Sequence, residues 1–274
     1  MPSVESKVAL VTGAARRVGR SIATWFASHE HDVVVHYGTS AAAAHALVDE
    51  IRALGRRAIA VQADLADAGA IDALLDATYA EFGRLDVLVN CASDFAQDRF
   101  PDFDIATLDA NWAVNGRAPI LLARAYCRHA RERRQTGAVV NVIDQKVRDN
   151  FHADHFTYTV GKAMLGNMTQ MLAISAAPTL RVNAVYPGLM LPSDVQTERD
   201  FRYASARATP LARVASADDL AAAIGLLAGP AYNGVDFVVD AGQNLRRVNT
   251  DVLYMYRDPA GDLPADERES SDTP

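Results

Sequence analysis

The sequence is poor in lysine, in cysteine and in long apolar runs, and each shortage excludes something. Two cysteines, Cys91 and Cys127, occur in 274 residues; they cannot build a disulfide framework, and their spacing resembles no metal-ligand pattern. The longest uncharged stretch, Ala163–Leu180, is broken by Asn167, Gln170 and Pro178, which argues against a membrane-spanning helix. The chain enters the strand-like run Val8–Val11 within ten residues, leaving no room for a secretory signal, so a cytoplasmic protein is expected. An excess of positive charge is also missing. The 27 basic and 34 acidic residues give a net charge of −7, which disfavours nucleic acid or an anionic membrane as partner. Much of that excess belongs to the segment from Arg257 to Pro274, and with three prolines and little apolar surface this tail is expected to be disordered. Only Lys7, Lys146 and Lys162 are lysines, so where each one falls carries information.

Half of the residues are hydrophobic, enough for a substantial core. Apolar β-branched runs recur at Val8–Val11, Val33–His36, Ala58–Gln62, Val87–Asn90, Ala138–Ile143, Arg181–Tyr186 and Val235–Val239. Their continuous apolarity, as in Val33-Val34-Val35, marks strands buried on both faces. Helical patterns fill the intervals at Arg20–Ser28, Ala41–Leu54, Ile71–Phe82, Arg117–Arg133, Tyr158–Ala176 and Ala217–Leu227. Strict alternation predicts an α/β fold: one doubly wound domain over residues 1–256, with a seven-stranded parallel sheet flanked by helices. Residues 191–209, polar and aperiodic after a strand end, are expected to form a substrate loop.

The first strand runs into Thr12-Gly13-Ala14-Ala15-Arg16-Arg17-Val18-Gly19 and directly into a helix. Glycines at such a turn let the backbone approach a pyrophosphate, and the helix N-terminus adds N–H donors. A carboxylate at the end of the second strand would bind a free ribose 2′-hydroxyl; here stand His36-Tyr37-Gly38-Thr39-Ser40 instead. With Arg16 and Arg17 in the turn and hydroxyls at Thr39 and Ser40, NADP(H) is favoured over NAD(H). Asp64-Leu65 after the third strand can hold the adenine, though such an aspartate is as often a helix cap.

Tyr158 and Lys162 form a Tyr-x-x-x-Lys pair, and four residues along a helix put both on one face. A phenol of pKa about 10 needs a neighbouring cation to favour its phenolate, and Lys162 can supply it. Together with the glycine turn, this pair resembles the short-chain dehydrogenase/reductase family over roughly Lys7–Val248. Asn90-Cys91-Ala92-Ser93 resembles the family's Asn-Asn-Ala-Gly segment, Pro187-Gly188 its Pro-Gly, and Asp240-Ala241-Gly242 its Asp-Gly-Gly. The resemblance implies that Asn115 helps hold a proton-relay water and that Asn90, Ala92, Pro187, Gly188 and Leu189 border the cofactor along with Val18 and Gly19. It also implies a Rossmann-type fold and a homo-oligomer, dimer or tetramer, to which Leu253-Tyr254-Met255-Tyr256 can contribute.

Two departures are informative. Arg17 replaces the family's middle glycine, and Asp144 replaces the serine that precedes the tyrosine. Both resemble the pteridine reductase branch, which includes dihydromonapterin and dihydrofolate reductases of this fold, as do His36-Tyr37, Ser93-Asp94-Phe95 and Pro187-Gly188-Leu189. That branch implies that Phe95 stacks a pterin, that Ser93 and Arg17 contact pterin and cofactor phosphate together, and that Met190 borders the substrate. Physics supports the swap independently. An ionised Asp144 would repel a developing alkoxide by about 4 kcal/mol at about 4 Å with an effective dielectric of about 20. A pterin instead presents N–H donors that a carboxylate accepts, and its C=N bond needs a proton at nitrogen.

The expected activity is therefore NADPH-dependent reduction of a pterin-type C=N bond, with Tyr158 as proton donor, Lys162 tuning it and binding the ribose, and Asp144 holding the substrate. Two alternatives stay open: a carbonyl reductase or alcohol dehydrogenase acting on a ketone, sugar or acyl thioester, and a non-catalytic nucleotide-binding regulator. No metal is expected; His152 and His155 have no third ligand near them in sequence and are read as loop surface, with lining of the substrate pocket as the alternative.

Overall fold

The protein is described by a computed structural model over residues 6–193, 196–248 and 251–254. Its strands are β1 (Lys7–Val11), β2 (His31–Tyr37), β3 (Ala58–Gln62), β4 (Val87–Asn90), β5 (Gly137–Val142), β6 (Leu180–Pro187) and β7 (Asp236–Val239). Its α-helices are α1 (Arg17–Ser28), α2 (Ala41–Ala53), α3 (Ala68–Phe82), α4 (Ile105–Asn111), α5 (Ala118–Arg133), α6 (Phe156–Ala176), α7 (Glu198–Ala208) and α8 (Ala217–Leu227). All seven strands lie in one parallel sheet of order β3-β2-β1-β4-β5-β6-β7, the doubly wound architecture that the alternation predicts.

Side chains alternate across each strand, so continuous apolarity feeds two cores. Ala9, Val11, Val33, Val35 and Val89 pack on one face with residues of α1, α2 and α8, while Val8, Leu10, Val34 and Leu88 pack on the other with residues of α3, α5 and α6. Each fully buried Val or Leu contributes about 1.5–3 kcal/mol, and a polar residue at any of these positions would forfeit that. The chain leaves β1 outward to β2 and β3, then returns to place β4 on the other side of β1. This reversal opens a crevice at the carboxyl ends of β1 and β4, where doubly wound folds hold ligands.

Two elements depart from the sequence expectation. The polar, aperiodic segment 191–209 predicts a loop, but α7 occupies most of it. Its start is fixed by a reciprocal capping box between Thr197 and Asp200, and its buried positions Ala204, Ser205 and Ala208 follow helical spacing. Small residues on that face hid the periodicity behind the charged ones. The other is the stretch ahead of α5, where α4 leads through a π-helical turn, Trp112–Arg117, into α5. Among the described residues no helix is long and apolar enough to cross a membrane. The acidic tail at 257–274 and the Met255-Tyr256 pair lie outside the described residues.

Candidate active site

The turn after β1 is built backbone on backbone. Gly13 has φ +65°, a conformation that favours glycine, and a Cβ there would stand 2.9 Å from Ala92 Cα. A Cβ on Gly19 would stand 2.3 Å from the Gly13 carbonyl oxygen, so α1 can start close under the turn only with glycine at that position. His36 braces the turn from β2: Gly13 N–H donates to its Nδ1 at 3.0 Å, and its Nε2 lies 3.1 Å from the Ala63 carbonyl oxygen. That pattern puts the ring proton on Nε2, and burial lowers the pKa of His36, in keeping with a neutral strut. Thr12 ties the turn to β4, its Oγ1 accepting from Cys91 and Ala92 N–H at 2.9 and 3.0 Å.

Above this turn lies a cleft of about 890 Å³ lined by Gly13, Arg16, Arg17, Val18 and Gly19 from the turn, His36–Ser40 after β2, Asp64 and Leu65 after β3, and Ala92 and Ser93 after β4. Its rim past β2 carries no acid, and the Ser40 side chain makes no capping bond at the N-terminus of α2. Asp64 accepts from Ala66 N–H at 2.9 Å, which steadies the loop, while the cap of α3 is Asp67. Arg17 has φ +52°. Such a left-handed conformation costs a side-chain-bearing residue about 1–2 kcal/mol, and its side chain borders both this cleft and a second pocket.

That second pocket, about 490 Å³, opens beside the inner end of the cleft. Asp144, Tyr158, Lys162, Ser93, Phe95, Met190 and Pro187–Leu189 all line it. Tyr158 OH donates to Asp144 Oδ2 at 2.8 Å, and the other carboxylate oxygen accepts Lys146 N–H at 2.9 Å. Burial, reinforced by Asp144, pushes the Tyr158 pKa well above 10, so this tyrosine keeps its proton at neutral pH. The expected cation effect is not what sets this: Lys162 Nζ donates to the Val142 carbonyl at 2.8 Å and lies 5.8 Å from the Tyr158 ring centroid. Burial lowers the Lys162 pKa to about 8.

The aromatic wall is held from behind. Phe95 stacks on His155 with centroids 3.9 Å apart and meets Tyr158 edge to face at 4.6 Å; one Phe95 face is taken by His155, and the residue is 43% exposed. The sequence points to loop surface for His155 and His152, but both are buried. His155 Nδ1 lies 2.7 Å from the Ala96 carbonyl oxygen, and His152 Nδ1 lies 3.5 Å from Asp251 Oδ2.

Two expected site residues turn away from the pockets. Asn90 Nδ2 donates to Asn141 Oδ1 at 2.8 Å, and Asn141 in turn donates to Thr169 on α6, so the Asn90 side chain belongs to a polar ladder inside the sheet. Asn115, on the π-helical turn, is wholly buried. Its carboxamide accepts Asp94 N–H at 3.0 Å and donates to the Asp94 carbonyl and to Asn111. Its side chain thus fixes the loop carrying Ser93 and Phe95.

Sequence reasoning missed Lys146 and Asp251. Lys146 is 2% exposed; its Nζ donates to Asp251 Oδ2 at 2.7 Å and lies 5.3 and 5.2 Å from the Phe95 and Tyr158 ring centroids. Asp251 N–H donates to Asp154, which pairs with Arg99. Burial alone would lower the Lys146 pKa, but Asp144 and Asp251 together raise it. The scarcity of lysine was the available signal for Lys146; Asp251, 105 residues away, offered none.

A family model described as short chain dehydrogenase matches residues 7–202. The crystal structure of FolM alternative dihydrofolate reductase 1 from Brucella canis, complexed with NADP, superposes with a TM-score of 0.83 at 34% identity, over 90% of this chain and 98% of that one. Pteridine reductase 1 from Leishmania tarentolae is 31% identical over 89% of this chain and 99% of its own length. L-rhamnose 1-dehydrogenase (NAD(P)(+)) from a Sphingomonas strain is 32% identical over 88% and 98%.

Proposed function

This chain belongs to the short-chain dehydrogenase family, and from that premise we propose that it is an NADPH-dependent reductase of a pterin-type C=N bond, converting a dihydropterin or dihydrofolate to its tetrahydro form. Oxidoreductase chemistry follows from the family; the substrate class rests on one observation, the Asp144 carboxylate bonded to the Tyr158 hydroxyl at 2.8 Å inside the pocket. A ketone oxygen arriving there would gain negative charge beside an acid. A pterin offers ring and amino N–H donors instead, which Asp144 accepts while Tyr158 supplies the proton that nitrogen requires.

The cleft fits NADP(H). The Gly13–Gly19 turn leaves main-chain N–H groups and the α1 N-terminus for the pyrophosphate, and Arg16, Arg17, Thr39 and Ser40, with no acid among them, suit the 2′-phosphate. Bound there, the cofactor supplies the hydride. Tyr158 holds its proton until a basic nitrogen reaches its OH, Asp144 fixes that nitrogen's neighbours, and Lys162 provides a ribose contact and a cation behind the phenol. The relatives whose names carry dihydrofolate reductase, pteridine reductase and NADP support this reading.

We also propose a homo-oligomer. Val160, Met164, Met171 and Ile174 form an exposed apolar stripe on α6, reaching 80% exposure at Ile174, and such patches mark protein interfaces. Light scattering behind gel filtration tests it, and a monomer at micromolar concentration would refute it.

The substrate reading is tested by NADPH oxidation with dihydrobiopterin, dihydromonapterin, dihydrofolate, a ketone panel and L-rhamnose with NADP+. Turnover of a dihydropterin or dihydrofolate, reduced at least about 100-fold in Asp144→Ser, is the expected result. Turnover of ketones or sugars alone would replace this reading with a carbonyl reductase or alcohol dehydrogenase. Tight NADPH binding with no turnover of any substrate would favour a nucleotide-binding regulator.

A further inference from the structure

Two of the three lysines in the chain stand at Tyr158, and only Lys162 has a part in the chemistry proposed above. Lys146 occupies the short turn after Asp144, and its own N–H clamps Asp144 Oδ1 at 2.9 Å. Asp144 and Lys146, joined by one short turn, Gln145–Val147 following Asp144, thus both line the same pocket. Burying an ammonium is unfavourable unless its donors are satisfied. Lys146 is 2% exposed, yet its Nζ meets a single acceptor among the described residues, Asp251 Oδ2. Around it otherwise stand the rings of Phe95 and Tyr158, with the pocket between them.

A buried ammonium with three donors and one acceptor, lining a cavity, is incomplete as a structural staple and complete as a binding group. Asp251 anchors it: the carboxylate also accepts Leu253 N–H at 3.1 Å, and its own N–H is held by Asp154 at 2.9 Å. The segment carrying Asp251, Val252 and Leu253 is thereby pinned as a wall of the same pocket.

We propose that Lys146 is a specificity-determining residue that, paired with Asp144, reads the edge of a flat heterocycle. Asp144 accepts a ring or amino N–H, and Lys146 donates to a ring carbonyl oxygen on the same molecule. The inference rests on the pterin reading and narrows it: the substrate presents a donor and an acceptor on one edge, as an oxo-pterin does, and not donors alone. Asp251 acts through Lys146 and is a positioning residue.

The test is an equilibrium fluorescence titration of the NADP+-loaded protein with two probes: pterin, and the diamino analogue in which an amino group replaces the ring carbonyl. Wild type is compared with Lys146→Met, which keeps the length and loses the donor, and with Lys146→Arg. The Met variant is expected to lose about 30-fold in affinity for pterin and less than about threefold for the diamino compound. In that variant KM for the dihydropterin rises while kcat changes little, NADPH affinity stays the same, and Lys146→Arg recovers most of the pterin binding. An affinity ratio between the probes that is the same in wild type and Met variant, even with a lowered Tm, would make Lys146 a structural staple and overturn the inference. Should Lys146→Met not fold, Asp251→Asn replaces it: it keeps the ammonium but frees it, the ratio is expected to shift in the same direction, and an unchanged ratio is again fatal. Wild-type holoenzyme that binds neither probe refutes the pterin reading, and the inference falls with it; binding of both with no change on substitution refutes the inference alone.

Discussion

The two halves of the proposed active site are made from different materials. The cofactor cleft is built by main chain at strand ends: a glycine turn at φ +65°, a helix start under it, and Thr12 and His36 bracing both from neighbouring strands. The substrate pocket is built by side chains drawn from distant segments, where Asp144, Lys146, Phe95, Tyr158 and Asp251 meet through ion pairs and ring contacts. A main-chain site tolerates exchange of most side chains around it but not a change of backbone spacing. A side-chain site keeps its shape while its chemistry shifts with one substitution, which is how one fold can serve many substrates.

The sharpest way to separate the halves is Tyr158→Phe. Tyr158 borders both pocket and cleft, but the substitution removes only the hydroxyl and leaves the glycine turn as it is, so turnover is expected to fall more than about a thousandfold with NADPH binding within about twofold. Stopped-flow turnover and fluorescence titration measure the two, and retained turnover would end the proton-donor role. The converse break is Gly19→Ala. Its Cβ would lie 2.3 Å from a backbone oxygen, where nothing can move aside, so α1 must shift. A loss of about 2–4 kcal/mol in stability is expected, together with weakened NADPH binding, read by thermal melts with and without cofactor.

The difference in construction also explains what was legible. Strand positions and the strand–helix alternation could be read because a sheet buried on both faces demands continuous apolar runs, and each such run from Val8 to Val239 forms a strand. The glycine turn and the grouping of Asp144, Tyr158 and Lys162 around one pocket were legible because local spacing and the strand ends bring them together. His36 borders the cleft as the sequence suggests, but its ring has a further use that no local pattern announces: a buried imidazole between Gly13 and Ala63 satisfies two main-chain groups at once. Asn90 was misplaced because the same amide can face a cleft or a neighbouring strand, and only the partner Asn141 decides. Asp251 was out of reach because an ion pair spanning 105 residues has no local pattern.

A smaller effect sharpens the comparison through pH. Burial sets the Lys162 pKa to about 8, while Tyr158 is held well above 10 and does not titrate in that range. Lys162 is charged below about 8 and neutral above, so kcat/KM is expected to fall by a few-fold as pH rises through about 8. Stability should move the opposite way. The folded state binds the Lys162 proton more weakly than the unfolded state, whose value is 10.5, so the burial penalty is full below about 8 and is relieved as pH climbs toward 10.5. In Lys162→Arg the alkaline fall should move upward, because a guanidinium keeps its charge; an unmoved limb would assign it to another group.

The smallest expected change in stability lies at Arg17, which belongs to both halves. Its φ of +52° is a strain that glycine would not carry, so Arg17→Gly removes a cost of about 1–2 kcal/mol from the folded state and gives part of it back through the freer unfolded chain. A net gain of about 0.5–1 kcal/mol in stability is expected, seen as a small rise in Tm. The same change removes the guanidinium that borders cleft and pocket together, and NADPH affinity is expected to drop about tenfold, with a weaker dependence on salt. The strain would then be maintained for binding, as strained residues at functional sites are. If stability falls instead while NADPH affinity holds, Arg17 serves the fold of the turn, and the boundary between the two halves of the site must be drawn elsewhere.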